Sequence, residues 1–272
     1  MLSIGQLAQV ACIWEATARK PGNVHRFHDY EDVTYVDFIL SAAAIAPWLD
    51  SASERPIGET ILLCAKATKR VTRTNTNLGI ILLLAPLASV ANEECLRPAL
   101  EEKLSLSTVK DAELCYQAIA VMRPSGLGEV EAEDVSQAPT QNLRQVMGLA
   151  AERDTIALQY VNVFEQVFAE GVPFLEEAIS KGACAERAIQ SCFLRLLAKR
   201  PDSLIARKCG LALAEEASRR ASETTLEDLD LLEAWLCAEG HSRNPGTTAD
   251  LVTASLFVAL LQGKLSPDHL FY

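Results

Sequence analysis

Aromatic side chains are scarce in this 272-residue chain, at 6% of the total. β-Branched residues are few beside Ala and Leu, so little is present from which to build a sheet. No alternation of period two runs longer than a few residues, and no Asn-Gly hairpin turn occurs. Basic residues are in deficit, 25 against 36 acidic, for a net charge of −11. That balance argues against a nucleic-acid partner, whose phosphates require a basic face. None of the eight cysteines forms a CxxC pair, which removes the signs of a disulfide framework and of a cysteine-rich zinc site. The thiols read as reduced core residues of a cytoplasmic protein. No basic stretch followed by a long apolar one opens the chain, so no signal peptide is expected. The longest apolar run, Leu78 to Ala91, is broken by Pro86 and falls short of the roughly 20 residues that span a bilayer. It reads as a buried core helix, and no membrane partner is expected.

What is abundant is helix-forming sequence. Nearly half the residues are apolar, at 49%, and the apolar positions recur at helical spacing. Ile4, Leu7, Ala8, Ala11 and Trp14 mark a first helix that ends at Lys20-Pro21-Gly22. A second begins near Thr34. Further patterns cover 57–71, 76–90, 108–121, 142–170, 174–181, 185–198, 204–220, 226–238 and 247–262. The expected fold is all-α, with about ten or more helices around a polar pocket. One domain is favoured over two, since a single core can still serve roughly 250–300 residues. The stretch Arg123 to Thr140 is rich in Pro, Gly, Ser and acid. Its Gly126-Leu127-Gly128 core suits a mobile loop better than an interdomain linker. An Ala/Leu-rich helical domain also suits burial of a face against a copy of itself, so a homodimer is an open expectation.

Polar islands interrupt the helical runs. ARKPGN (Ala18 to Asn23), TNTNLG (Thr74 to Gly79) and SRNPGTTADL (Ser242 to Leu251) each set turn and capping residues against an apolar helix. Exposed backbone N–H groups at such helix starts bind phosphate or carboxylate. Capping alone would account for much of this. Thr247 can cap a helix with Asp250 returning the bond, and Thr74 or Thr76 can cap the helix at Leu78. Asn244-Pro245-Gly246, however, adds a rigid turn and a glycine where backbone must approach a ligand closely. Arg19, Lys20 and the amides of Gly22-Asn23 concentrate positive potential in an acidic chain. Glu15, between Trp14 and Ala16, can pair with Arg19 one turn on or stand half-buried as a base or metal ligand. His25 and His28, with Asp29 and Asp32, have a spacing that allows a metal. In PDSLIARKCG (Pro201 to Gly210), Arg207 and Lys208 are expected one turn into a helix, where cations oppose the helix dipole and call for a bound anion or an acidic neighbour.

Taken in order, these islands resemble the ATP:dephospho-CoA triphosphoribosyltransferase family. Its members carry an E…PKPGLVDR stretch, then NTHKG, D(T/S)N…RGG, and SPGGSADLLA near the C-terminus. The matching residues are Glu15, Lys20-Pro21-Gly22, Val24, Arg26, Asn75-Thr76, Gly79, Asp202-Ser203, Lys208, Gly210, Pro245-Gly246 and Thr248-Ala249-Asp250-Leu251. Asn77-Leu78 stand where the family pattern has His-Lys, and His25 stands where Asp is usual. In these respects the chain looks like a divergent branch found in archaea and some bacteria.

The resemblance implies an all-α enzyme that breaks the N-glycosidic bond of ATP, releases adenine and joins C1 of the triphosphoribosyl group to a hydroxyl of 3′-dephospho-CoA. One carboxylate would stabilise an oxocarbenium-like centre while another takes the acceptor proton. Glu15 and Asp250 are the candidates, with their roles interchangeable at this stage. An intact triphosphate needs Mg²⁺, cations and amides. The substrate-binding set is Lys20, Gly22, Asn23, Arg26, Asn75, Thr76, Asn77, Lys208, Arg243, Asn244, Gly246 and Thr248, with Asp202 as metal ligand. Two alternatives stay open: ribosyl-phosphate transfer to a pterin precursor of tetrahydromethanopterin, and a non-catalytic nucleotide-binding helical protein. An isoprenoid-diphosphate enzyme lacks its DDxxD pair here; Glu227-Asp228-Leu229-Asp230 reads better as an acidic helix start.

Overall fold

The computed structural model describes residues 2–123, 137–269 and 271–272. The Gly126-Leu127-Gly128 core of the expected loop lies outside the described residues, as does Leu270. Helix dominates as expected, and the described residues group into two compact units. The first takes in the described residues of Met1–Gln9 and Ile39–Glu165, the second Val10–Phe38 and Gln166–Tyr272. Two of their boundaries fall within α1 (Ile4–Thr17) and α2 (Tyr35–Asp50), and the third between Glu165 and Gln166.

The first unit continues with α3 (Ile57–Val71), α4 (Leu78–Ser89), α5 (Leu96–Ser105), α6 (Val109–Met122), α7 (Leu143–Ala150) and α8 (Thr155–Asn162). Helix α4 is the apolar run with Pro86, and all of its residues but Gly79 are buried. No helix among the described residues is long and apolar enough to cross a membrane. The Tyr160 hydroxyl donates to the Leu82 carbonyl at 2.6 Å, tying α8 to this core helix.

The single helix expected over 142–170 is broken twice. Asp154 caps a new start by accepting from Ile156 N at 2.8 Å, and Val163 and Phe164 turn left-handed at φ 55° and 54°. Helix α5, absent from the sequence reading, has a mostly polar surface and buries only Leu96, Leu100 and Leu104. Three buried positions in ten residues give a weak periodic signal.

One carboxylate organises two helix starts in this unit. Asp111, in the first turn of α6, accepts from Thr108 N at 2.8 Å and Thr108 Oγ1 at 2.7 Å. Its other oxygen accepts from Gly58 N at 2.8 Å, at the start of α3. Gly58 has no side chain to hold the helices apart: a Cβ there would lie 2.5 Å from the Cα and carbonyl oxygen of Asp111.

The second unit contains α9 (Val172–Ser180, entered through a π-helical turn at Val167–Gly171), α10 (Ala185–Lys199), α11 (Ser203–Cys209), α12 (Leu211–Glu223), α13 (Asp230–Cys237) and α14 (Gly246–Leu261). A short extended segment, Ala238–His241, links the last two. The helix expected over 204–220 is divided at Gly210, whose φ of +89° ends α11 and leaves α12 to restart. That break places Arg207 and Lys208 in the last turn of α11, where cations complement the dipole. The anion inferred from an early-turn placement is therefore not required. The cysteines divide too: Cys12, Cys64, Cys115 and Cys192 are buried thiols, whereas Cys95 is exposed and Cys237 is only half-buried.

Replacing Gly58 by Ala should cost about 1–3 kcal/mol through overpacking against helix backbone. Chemical denaturation of G58A beside G148A, whose Cβ would meet only Val161 Cγ2 at 3.9 Å, checks this; equal losses would count against the close α3–α6 contact.

Candidate active site in the second unit

Asp202 is the N-cap of α11 and is buried, at 2% exposure. One of its oxygens accepts from Leu204 N at 2.8 Å and Ile205 N at 3.2 Å. The other accepts from Thr248 N at 2.7 Å and Thr248 Oγ1 at 2.8 Å. A single carboxylate thereby caps two helices, α11 and α14, at their positive ends. Burial pushes its carboxyl above the ordinary range, and the bonds from Thr248, Ile205 and Leu204 pull it back down. These four donors fill the acceptor positions of the group. The expected metal ligand is thus a clamp, and a cation there would have to displace the caps.

The same clamp replaces the capping box expected at Thr247 and Asp250. Helix α14 begins at Gly246 with no side-chain cap of its own from Pro245. Thr247 instead receives the hydroxyl of Ser203 at 3.1 Å. Gly246 packs on Leu204, and a Cβ there would lie 2.7 Å from Leu204 Cδ2.

The KPGN turn meets the same region. Gly22 adopts φ +77°, and a Cβ on it would lie 2.8 Å from Leu236 Cβ and 3.1 Å from Pro245 Cδ. Three of the polar islands, at residues 18–23, 201–210 and 242–251, are therefore brought together inside one unit. Asn23 holds the turn through Nδ2 to the Pro21 carbonyl at 3.4 Å. Asn244 is half-buried, and its Oδ1 finds no protein partner.

Glu15, on α1, is buried at 4% exposure. Its partner is Lys20, not Arg19: Lys20 Nζ lies 3.0 Å from Glu15 Oε1, while Arg19 pairs with Asp230. Desolvation raises the Glu15 pKa, and Lys20 and the Thr253 hydroxyl oppose the rise. Thr253 stands on α14 one turn beyond the half-buried Asp250, so Glu15 meets that helix at the turn after Asp250. Thr253 was missed in sequence; its signal was a hydroxyl within an otherwise apolar run.

Several cations expected on the triphosphate are committed to protein acceptors. Lys20 is fully buried, and its ammonium donates to the Glu15 carboxylate, the Glu15 carbonyl and the Ala18 carbonyl. Arg26 makes a fork-to-fork pair with Glu186 at 2.8 and 2.9 Å and donates to the Thr17 carbonyl at 2.7 Å. Arg243 pairs with Glu239, donates to the Trp235 carbonyl and stacks on the Trp235 ring. Lys208 reaches the His241 carbonyl at 3.4 Å, and burial lowers its pKa. For Lys20, Arg26 and Arg243 a carboxylate of the same chain supplies the neutralisation expected from phosphate.

TNTNLG belongs to the first unit and has its own geometry. Asn75 Oδ1 accepts from Leu78 N at 3.1 Å, and Thr76 shares a 2.6 Å hydrogen bond with Ser41. Asn77 precedes α4 and is buried at 4% exposure, with neither side-chain polar atom partnered. An unmet buried amide costs about 1–3 kcal/mol, a cost that a bound ligand would remove.

Comparison with known proteins agrees with the motif order. The chain is 24% identical over 256 residues to a 2-(5''-triphosphoribosyl)-3'-dephosphocoenzyme-A synthase of Pectobacterium atrosepticum, covering 86% of this chain and 80% of the relative. Its fold matches, with a TM-score of 0.68 and 29% identity, the crystal structure of an Archaeoglobus fulgidus protein described as a candidate triphosphoribosyl-dephospho-coA synthase. That match covers 83% of this chain and 99% of the other. The family model for ATP:dephospho-CoA triphosphoribosyl transferase spans residues 1–268, and the chain belongs to that family.

Proposed function

We propose that this chain transfers the triphosphoribosyl group of ATP to the 2′-hydroxyl of 3′-dephospho-CoA, with release of adenine. The observation that carries the reading is the buried Glu15 of α1, held between Lys20 and Thr253, where Thr253 stands one helical turn along α14 from Asp250. The bond from ribose C1 to the adenine nitrogen breaks and its electron pair leaves with adenine. A bond from the acceptor oxygen to C1 forms, and the hydroxyl proton is taken up by a carboxylate. Glu15, whose pKa burial raises, suits the proton acceptor. Asp250, in the first turn of α14, suits the charge that develops at C1.

The phosphates enter as the Mg²⁺ complex of ATP, a hard cation that keeps waters and phosphate oxygens as ligands. Asp202 does not suit that ion, because its acceptor positions are already filled. Lys208 and the half-buried, unpartnered Asn244 are better suited to the anion than Lys20, Arg26 or Arg243. Within the first unit taken by itself, the unpartnered amide of Asn77 suits a polar group of a ligand.

Glu15→Gln should lower the rate of adenine release from MgATP and dephospho-CoA by about 10²–10⁴-fold. The base works only when ionised, and its pKa is raised, so wild-type activity should fall with decreasing pH already above the ordinary carboxylate range. That acidic limb should be absent from E15Q. A protein that releases no adenine with this pair, or an E15Q variant with unchanged rate and pH profile, defeats the reading.

Asn77→Leu removes an amide that makes no folding bond, so the melting temperature should stay level or rise while the KM for ATP increases. A fall in melting temperature with unchanged KM would assign Asn77 to folding.

A further inference from the structure

The HRFHDY segment and α13 carry a cluster that the transfer reaction leaves unused. His25 and His28 close a tight turn by exchanging backbone hydrogen bonds at 3.0 and 2.8 Å. They do not gather Asp29 and Asp32 as their spacing suggested. Asp29 accepts from Tyr35 N at 2.6 Å, and Asp32 pairs with His241 at 3.1 Å. His28 instead faces α13, where Glu233 and Cys237 stand four residues apart on one side. Cys237 Sγ lies 3.8 Å from His28 Nε2 and 3.6 Å from Glu233 Oε1, and ligand atoms of the three all fall within 4.8 Å of one another.

From these distances we infer that His28, Glu233 and Cys237 form a binding site for a zinc-class divalent cation. Bonds of about 2.0 Å to nitrogen or oxygen and about 2.3 Å to sulfur, at tetrahedral angles, put ligand atoms about 3.3–3.6 Å apart. The two edges to Cys237 Sγ need shrink by only a few tenths of an ångström, and the third, between His28 and Glu233, closes from within 4.8 Å by a turn of the two side chains. One imidazole, one carboxylate and one thiolate make a borderline-soft donor set, which selects zinc over the Mg²⁺ that accompanies ATP. Three protein ligands leave the fourth position for water or another small donor.

Two buried polar atoms support the assignment. The second Glu233 oxygen has no protein partner. His25 is 3% exposed, and its Nδ1 accepts from Phe27 N at 3.2 Å, which fixes the proton on Nε2. That Nε2 is unpartnered and points to Glu233 Oε1 from 3.7 Å. His25 is thus placed at ion-pair distance to donate to the ligating carboxylate once it closes on a cation, the usual partner of a metal-bound group, and is not itself a ligand. Tyr30 closes the site: its ring meets His28 edge-on at 4.8 Å, and its hydroxyl donates to the Gly22 carbonyl at 2.9 Å. A cation here fastens the KPGN turn to α13.

The test uses the full chain, stripped of metal with a chelator and then titrated with Zn²⁺ alone against a chromophoric competitor. One equivalent per chain should bind, and binding should raise the melting temperature. Co²⁺ in the same protein should show a thiolate charge-transfer band, lost in Cys237→Ser and kept in Cys95→Ser. His25→Phe should weaken Zn²⁺ binding by about 10–100-fold, and His28→Gln by more. Failure of the stripped wild-type protein to take up an equivalent, a Co²⁺ complex without the thiolate band, or unchanged affinity in both C237S and H28Q would each overturn the site. None of these outcomes bears on adenine release, so the transferase reading stands or falls separately.

Discussion

A buried carboxylate shared between two helix starts is the constraint on which the second unit depends. Asp202 closes the first turn of α11 with one oxygen and the first turn of α14 with the other. Two positive helix ends are thereby held against one negative charge. The arrangement sets where the NPG turn runs and brings Gly22 against Pro245. The first unit repeats the device with Asp111, which serves the starts of α6 and α3. Asp50 does the same for the start of α1, accepting from Gly5 N at 2.8 Å, and that bond lowers its pKa. In a chain with 36 acidic residues, some of the excess acid is spent holding helix ends together.

The internal ion pairs follow from the same acidity. Lys20 and Arg26 both sit in a motif that looks like a phosphate grip, yet each satisfies a carboxylate of its own protein. A buried charge left alone is costly, so the pair Glu15–Lys20 is kept or lost as a unit. Its value here is positional. With Thr253 as a third partner, the Glu15 carboxyl is held at a defined place near α14. What remains for an anion is a smaller set, Lys208, Asn244 and backbone amides, which suits a substrate that brings its own Mg²⁺.

The cluster beside α13 adds a second kind of chemistry to the same turn. Hard oxygen-seeking Mg²⁺ and a borderline-soft cation sort by donor type, so they need not compete. Both the clamp at Asp202 and the cluster at His28 act on the KPGN segment, one through Pro245 and Gly22, the other through Tyr30 and the Gly22 carbonyl. The position of that turn is over-determined, as expected where backbone must stay in a left-handed conformation.

The helical class was legible in the sequence because it rests on composition and on the 3.6-residue spacing of apolar positions, which are local properties. The limits of α3 and the burial of α4 followed directly, as did the order of motifs by which the chain joins its family. Element breaks were less legible: Gly210, Val163 and Phe164 reverse the backbone at single residues without disturbing the periodic pattern around them. Partner choice could not be read at all. Whether Arg19 is left for Glu15 or taken by Asp230, which helix starts the Asp202 carboxylate meets, and whether His28 looks toward Asp29 or Cys237 depend on residues from distant parts of the chain. Spacing along a helix fixes which side chains share a face; only the packing of one helix against another decides what that face meets, and so which charges are neutralised before any ligand arrives.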